Sequence, residues 1–140
     1  MRKEKPKSIA FFGGSFDPPH RGHFEIPCYL YETLGVDRVV FLFSENWQKN
    51  PEGRAPIKDR IAMGEMIKDK YYPDFPFEMS DLQDRLGTHI TYQVLQALRT
   101  EYPEGRLIWV MGADNLASLH SWENHRDIMR EFPVAVLRRP

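Results

Sequence analysis

The chain has little cysteine, little net charge and no long apolar run. Its 140 residues include one cysteine, Cys28, so no disulfide can form within the chain, and a lone thiol suits a reducing compartment. The formal net charge of −1 does not resemble the basic balance that is typical of nucleic-acid-binding proteins. No apolar stretch approaches the roughly 20 residues of a membrane span. These deficits predict a cytoplasmic protein with no nucleic-acid partner and no membrane partner.

The composition that remains is that of one globular domain. Hydrophobic residues make up 41% of the chain and charged residues 28%, which is enough apolar material for a single core. The basic residues near the N-terminus precede an apolar run of only four residues, Ile9–Phe12, which is too short for a signal peptide. We therefore expect residues 1–140 to form a single domain.

The order of apolar and polar segments predicts alternating strands and helices. Strands are expected at Ile9–Phe12, Arg38–Phe43, Phe75–Met79, Leu107–Met111 and Pro133–Leu137, and helices at 22–34, 56–70, 91–102 and roughly 115–132. Such alternation predicts an α/β, Rossmann-like parallel sheet of about five strands with helices on both faces. Because ligands of these sheets bind beyond the carboxyl ends of the strands, we expect the loops after the strands to line one site.

The most informative segment is Gly13–His23, which reads Gly-Gly-Ser-Phe-Asp-Pro-Pro-His-Arg-Gly-His and joins the first strand to the first helix. Glycine lets a backbone approach a ligand closely, and a helix N-terminus attracts anions. His20 and His23, three residues apart, add two hydrogen-bond donors on one side. Neither a Walker A loop nor a dinucleotide fingerprint is present. The segment predicts a site for nucleotide phosphates, with His20 and His23 at the centre of its chemistry.

His20 and His23 could instead be metal ligands or structural residues. A zinc site needs a third and usually a fourth ligand, and no recognisable ligand spacing connects the remaining candidates, which are Cys28, His89, His120 and His125. We therefore assign no metal ligand. A structural role is plausible for either His20 or His23 alone, but two histidines beside glycines favour ligand binding.

Two later segments carry weaker signals. Gly112-Ala113-Asp114-Asn115 follows the fourth strand, where a carboxylate can accept hydrogen bonds from ribose hydroxyls or cap a helix. Trp122 is either a core residue or a flat surface on which a base stacks, and spacing favours neither.

Hydroxyl and cationic side chains complete the candidates. Thr88 or Thr91 is expected to cap the third helix, and either hydroxyl can also contact a ligand. Lys49 lies in the loop after the second strand and can reach a phosphate. Lys58 and Arg60 are expected at the surface.

Together these residues resemble the nucleotidylyltransferase superfamily with a histidine-x-glycine-histidine signature, here His20–His23. Within it, the chain is similar to the bacterial nicotinate-mononucleotide adenylyltransferases over nearly its whole length. The resemblance rests on the opening segment Gly13–His23, on Gly112–Leu116 with a downstream Trp122, on the Arg60 region after a proline, and on the closing Pro133–Pro140.

The resemblance implies an enzyme that joins ATP and nicotinate mononucleotide into deamido-NAD and pyrophosphate, with Mg²⁺ accompanying ATP. It implies catalytic roles for His20 and His23 at the ATP phosphates. The implied ATP-binding residues are Gly13, Gly14, Ser15, Phe16, His20, His23, Gly112 and Asp114. The implied acceptor-binding residues are Thr91, Trp122 and Lys49.

Two departures from the family pattern stand out. Ile90 replaces an aromatic residue that many relatives carry, and the family usually continues to a Ser-x-x-x-Ile-Arg segment that is absent before Pro140. The expected domain therefore lacks the family's usual C-terminal segment. The alternatives are a phosphopantetheine adenylyltransferase-like enzyme, which Trp122 disfavours because an aliphatic thiol arm needs no stacking surface, and a non-catalytic nucleotide-binding module. A homo-oligomer is compatible with the sequence.

Overall fold

The computed structural model describes residues 8–44, 55–113 and 117–138. In this part of the chain a five-stranded, all-parallel sheet has the order β3-β2-β1-β4-β5. The strands are β1 (Ser8–Gly14), β2 (Arg38–Phe43), β3 (Phe77–Ser80), β4 (Arg106–Gly112) and β5 (Val134–Leu137). The predicted Rossmann-like α/β class is confirmed. β3 begins two residues later than predicted, because Pro76 separates it from Phe75.

The helices are α1 (Gly22–Leu34), α2 (Ile57–Tyr71), α3 (Leu82–Leu86), α4 (Thr91–Glu101) and α5 (His125–Glu131), with a 3₁₀ turn at Leu119–Ser121. α1 ends at Gly35, whose φ of 64° is a left-handed conformation that glycine adopts without strain. The five-residue α3 was not predicted, because it is too short to show a helical period.

The prediction of one helical region over roughly 115–132 is wrong. In its described part the backbone is extended at Trp122, with ψ of 142°, and left-handed at Asn124, with φ of 60°. The 3₁₀ turn therefore ends before Trp122, and α5 begins only at His125. This break leaves Trp122 in a connecting segment instead of on a regular helix face.

The sheet separates two apolar layers. On the first face, α1 and α2 pack on one cluster, whose members include Phe16, Phe24, Leu30, Phe41, Phe43 and Ile57. On the second face, α3, α4 and α5 pack on another, whose members include Leu82, Val94, Leu95, Leu98, Trp109 and Ile128. β2 lies between them, and Val39–Phe43 are all buried.

The strand order places a crevice between β1 and β4. Both helices that follow β1 and β2 lie on the first face, whereas the helices around β4 lie on the second, so the winding reverses between these neighbouring strands. β1 ends at Gly14 and β4 at Gly112, with Phe12 level with Val110. Ligands of open α/β sheets bind at such a reversal. No helix in the described ranges is long and apolar enough to cross a membrane.

Candidate nucleotide-binding site

A cleft of about 220 Å³ opens at the carboxyl ends of β1 and β4. Six of the residues predicted for ATP line it, namely Gly13, Gly14, Ser15, Phe16, His23 and Gly112. Its apolar wall consists of Phe12, Ile26, Val110 and Met111. The structure thus brings together segments that lie about a hundred residues apart in the sequence.

The two glycines that end β1 are packed against aromatic rings. A Cβ on Gly14 would lie 3.1 Å from Cζ of Phe16, and a Cβ on Gly13 would lie 3.4 Å from Cη2 of Trp109. Side chains larger than alanine would therefore displace these rings as well as obstruct the cleft. The lack of a side chain at these two positions therefore allows the aromatic rings to pack closely and leaves the cleft open to a ligand.

Phe16 forms the floor beneath His23. Its ring is 3% exposed, and its φ of 47° is unusual for a residue with a side chain. Its centroid lies 4.7 Å from that of Phe43 and 5.0 Å from that of His23, whose ring it meets edge-on at 85°. Aromatic packing therefore fixes both the Phe16 backbone and the plane of the His23 imidazole.

His20 and His23 lie side by side at the start of α1. Their rings stack with centroids 3.8 Å apart and planes 24° apart. The backbone N–H of His20 donates to Nδ1 of His23 over 3.1 Å. Because an accepting nitrogen carries no proton, Nε2 of the neutral His23 ring carries it. The pair therefore presents a fixed N–H donor to its surroundings, with His20 exposed and His23 half-buried.

Arg21, the variable residue of the signature, turns towards α2. Its guanidinium carbon lies 4.3 Å from the ring centroid of Tyr71. A hydrogen bond to Tyr72 raises the pKa of Arg21 above its ordinary value. Arg21 therefore connects the signature loop to the end of α2 and does not line the cleft.

Arg60 contradicts the expectation of a surface charge, because its side chain is fully buried. Its Nε donates to the carbonyl of Ala55 over 2.8 Å, and Nη1 donates to the carbonyls of Ser15 and Ser44 over 2.5 and 3.1 Å. Burial of a cation is costly unless hydrogen bonds replace water. The sequence carried a signal for this burial, since Arg60 lies on the buried face of α2 between Ile57 and Gly64.

A second pocket, of about 410 Å³, lies at the start of α4 and contains two of the three predicted acceptor residues, Thr91 and Trp122. The remaining lining residues, which sequence analysis did not assign to the site, are His89, Ile90, Ser121 and Glu123. Trp122 is half-buried and also packs against the second-face core. Part of Trp122 therefore belongs to the core, and its stacking on a base stays a prediction for the part that lines the pocket.

The expectation that Thr88 or Thr91 caps α4 is wrong. Ile90 occupies the N-cap position, and its side chain makes no capping hydrogen bond. Thr88 Oγ1 instead accepts from the N–H of Ile90 and donates to Oε1 of Gln93, over 3.1 and 2.6 Å. Thr91, as the first helical residue, faces the pocket without serving as the cap.

Two predicted site residues, Lys49 and Asp114, lie outside the described residues. Within the described ranges, no group of three or more histidine, cysteine, aspartate or glutamate side chains could hold a metal ion. The roles assigned to individual site residues stay predictions.

Residues 11–140 match the Cytidylyltransferase-like family. The chain belongs to this family. Its resemblance to a nucleotidyltransferase, predicted from the sequence, is thereby confirmed.

Curated relatives of this cytidylyltransferase-like chain carry a more specific name. A protein of Cereibacter sphaeroides named "Probable nicotinate-nucleotide adenylyltransferase" is 41% identical over 132 residues, covering 94% of this chain and 69% of the relative. A protein of Ruegeria pomeroyi with the same name is 39% identical over 132 residues, covering 94% of this chain and 60% of the relative. The chain therefore spans about two thirds of the length of these relatives.

A solved structure shares the fold. The Plasmodium falciparum nicotinic acid mononucleotide adenylyltransferase complexed with NaAD aligns with a TM-score of 0.73 at 16% identity. The alignment covers 96% of this chain and 75% of that one. At this identity the likeness supports the cytidylyltransferase-like fold alone.

Proposed function

We propose that this chain transfers the adenylyl group of ATP to nicotinate mononucleotide, giving deamido-NAD and pyrophosphate. The observation that carries the proposal is the pair of pockets at one sheet edge. One contains the Gly13–Phe16 backbone and His23, and the other contains Thr91 and Trp122. The names of the curated relatives support the same reaction.

On the ATP side, Gly13–Phe16 and Gly112 surround the nucleotide, and Asp114 accepts from its ribose. His20 and His23 donate to the phosphates, with Nε2 as the donating nitrogen of His23. The N-terminus of α1 adds a partial positive charge. These groups neutralise charge that grows as pyrophosphate leaves.

The reaction needs no strong base, because the nucleophile is already an anionic phosphate. An oxygen of the acceptor phosphate forms a bond to the α-phosphorus of ATP, and the bond from that phosphorus to the bridging oxygen breaks. Pyrophosphate takes the electron pair. Positioning and charge neutralisation therefore account for the catalysis that this chain supplies.

Mg²⁺ enters with ATP in this proposal. The described residues offer no cluster of metal ligands, whereas the phosphates of ATP supply the oxygens that Mg²⁺ prefers. His20 and His23 then act on phosphate oxygens and not as metal ligands.

On the acceptor side, the exposed part of Trp122 stacks on the pyridine ring, and backbone N–H groups near Thr91 receive its carboxylate. Lys49 contacts the acceptor phosphate. The single-domain boundary 1–140 and the cytoplasmic location stay predictions from the sequence.

A pyrophosphate-release assay with ATP tests the proposal. Three acceptors are compared: nicotinate mononucleotide, nicotinamide mononucleotide and phosphopantetheine. We expect the highest release with nicotinate mononucleotide, with one deamido-NAD formed for each pyrophosphate. Release of pyrophosphate with phosphopantetheine but with neither mononucleotide would indicate a phosphopantetheine adenylyltransferase-like enzyme instead. ATP binding without release for any acceptor would identify a non-catalytic nucleotide-binding module.

A further inference from the structure

Arg60 is a buried cation that joins three separate segments of the chain. Its guanidinium donates to carbonyls in the loop after β1, at the end of β2 and just before α2, which belong to Ser15, Ser44 and Ala55. We propose that Arg60 is a positioning residue for ATP, which holds the Ser15 carbonyl so that the N–H of Phe16 faces the ATP phosphates. This inference rests on the proposed function.

The peptide bond between Ser15 and Phe16 links the hydrogen bond from Arg60 to the direction of the Phe16 N–H. A trans peptide is planar, with its C=O and N–H pointing in opposite directions. Because the Ser15 carbonyl points at Nη1 of Arg60, 2.5 Å away, the Phe16 N–H points away from Arg60. Ser15 and Phe16 line the cleft at the end of β1, and Arg60 lies outside its lining. The anchored carbonyl and the donor that faces the nucleotide therefore belong to one rigid unit.

The backbone at Phe16 needs such an anchor. Its φ of 47° is costly for a residue with a side chain and persists only where surrounding contacts impose it. The ring is held among Phe12, Phe41 and Phe43, which restrains the side chain. Arg60 restrains the preceding peptide plane, so side chain and backbone are fixed independently.

The loop after β2 is tied into the same arrangement. The N–H of Ser44 donates to the carbonyl of Gly14 over 3.0 Å, and the Ser44 carbonyl accepts from Arg60 over 3.1 Å. Rotation of the Ser15 peptide would therefore break a hydrogen bond within a network and not an isolated contact. These hydrogen bonds together fix the orientation of the Ser15 peptide.

Arginine suits this role better than lysine. The guanidinium carries five N–H donors in a fixed plane, so Nε and Nη1 can serve carbonyls from different segments at once. A lysine ammonium retains the charge but gathers its three donors at one point. Arg60→Lys therefore keeps the positive charge but removes the arrangement of donors that reaches carbonyls in different segments.

The test uses Arg60→Lys and the affinity for α,β-methylene-ATP, measured by calorimetry, together with the KM of each substrate. We expect the affinity for the analogue to fall, and the KM of ATP to rise, about tenfold or more. The KM of the acceptor should stay within about twofold of its value in the unsubstituted chain. Arg99→Lys is the matched control, because Nη1 of Arg99 also donates to a backbone carbonyl, that of Gly105, over 2.7 Å just before β4. Its ATP affinity should equal that of the unsubstituted chain.

A second measurement begins with the unsubstituted chain, where it needs no variant. Ser15-Phe16 is the only Ser-Phe pair in the sequence, so ¹³C′-serine with ¹⁵N-phenylalanine labelling yields one carbonyl-to-amide correlation, that of the Phe16 N–H. In the unsubstituted chain this signal should shift on addition of α,β-methylene-ATP. In Arg60→Lys it should begin at a different position and shift less.

The outcomes separate this inference from the proposed function. Equal affinity in Arg60→Lys and the unsubstituted chain, or a Phe16 signal that ignores the nucleotide, overturns the positioning role even when deamido-NAD is formed. Binding of α,β-methylene-ATP without formation of deamido-NAD overturns the proposed function, and the affinities then still decide the role of Arg60. A chain that does not bind the analogue contradicts both.

Discussion

The imidazole of His20 occupies the space in which a side chain at Gly22 would lie. A Cβ on Gly22 would be 2.9 Å from Cε1 and 3.0 Å from Nδ1 of His20. The absence of a side chain therefore lets His20 lie flat against His23. The glycine of the His20–His23 signature is required for packing the two imidazoles.

Gly22→Ala should lower turnover about tenfold while leaving the fold intact, because the new methyl group displaces His20 from its stack on His23. Alanine is a better helix former than glycine by at most about 1 kcal/mol, so the free energy of unfolding should not fall appreciably. Steady-state kcat and the thermal unfolding midpoint are the measurements.

The control for this prediction is the same substitution in a chain that lacks the His20 ring. In a His20→Ala background, Gly22→Ala should cause no further loss of kcat. A further loss there would show that the methyl group acts on the loop backbone and not through His20.

His20→Ala and His23→Ala should each lower turnover by at least roughly tenfold, because donors aimed at the phosphates stabilise the charge that develops in the transition state. Far-UV circular dichroism should show an unchanged fold. His120→Ala is the matched control, since His120 is exposed and lines neither pocket. Turnover close to that of the control in both variants would remove the pair from the mechanism.

Trp122→Ala should raise the KM of the acceptor more than that of ATP, because Trp122 lines the pocket at α4 and not the cleft at β1. Trp122→Phe should recover much of the loss, since a phenyl ring also offers a stacking face. Initial rates with each substrate varied in turn give both constants. A larger effect on the ATP constant would assign Trp122 to the other substrate.

Nicotinate mononucleotide should be a better acceptor than nicotinamide mononucleotide. Backbone N–H groups near Thr91 can receive a carboxylate, and charge-assisted hydrogen bonds are stronger than neutral ones. The ratio of the two kcat/KM values measures the preference. A ratio near one would argue that neither Thr91 nor its neighbours contact the acid group.

Cys28 should react slowly with iodoacetamide in the folded protein. Burial, followed by the nearby charges of Glu32 and Glu25, raises the pKa of this thiol from 9.0 to about 11. The alkylation rate should therefore reach its midpoint near pH 11 in the folded chain and near pH 9 in urea. Identical midpoints would contradict the raised pKa.

The same shift predicts how stability changes with pH. Because the folded-state pKa is the higher of the two, the thiol's contribution to stability is complete below about pH 9 and is lost as the pH rises towards 11. Chemical denaturation across this window should show a smaller decline for Cys28→Ser than for the unsubstituted chain.

The sequence predicted most of the sheet because buried parallel strands appear as short apolar runs, as in Arg38–Phe43. It failed where backbone conformation depends on tertiary contacts. Asn124 adopts a left-handed conformation that residue type alone does not require, and it interrupts the expected helix.

The same limit applies to the candidate site. The Gly13–His23 segment was identifiable because its chemistry is contiguous in the chain. For Arg60 the local signal was limited to its helical spacing from Ile57 and Gly64, since its partners Ser15 and Ser44 lie 45 and 16 residues away. A charged residue is assigned to the surface unless the carbonyls that surround it are known.

The two apolar layers have a consequence for how this enzyme family diversifies. Phe12, Phe16 and Ile26 in the cleft belong to the first-face layer, whereas Trp122 in the second pocket packs on the other. Substitutions distant from one another with no shared contacts have nearly additive effects. Met111 is the one side chain of the cleft's apolar wall that belongs to the second-face layer. Under the proposed function, substitutions on the α4 side can therefore change the acceptor with little effect on ATP binding.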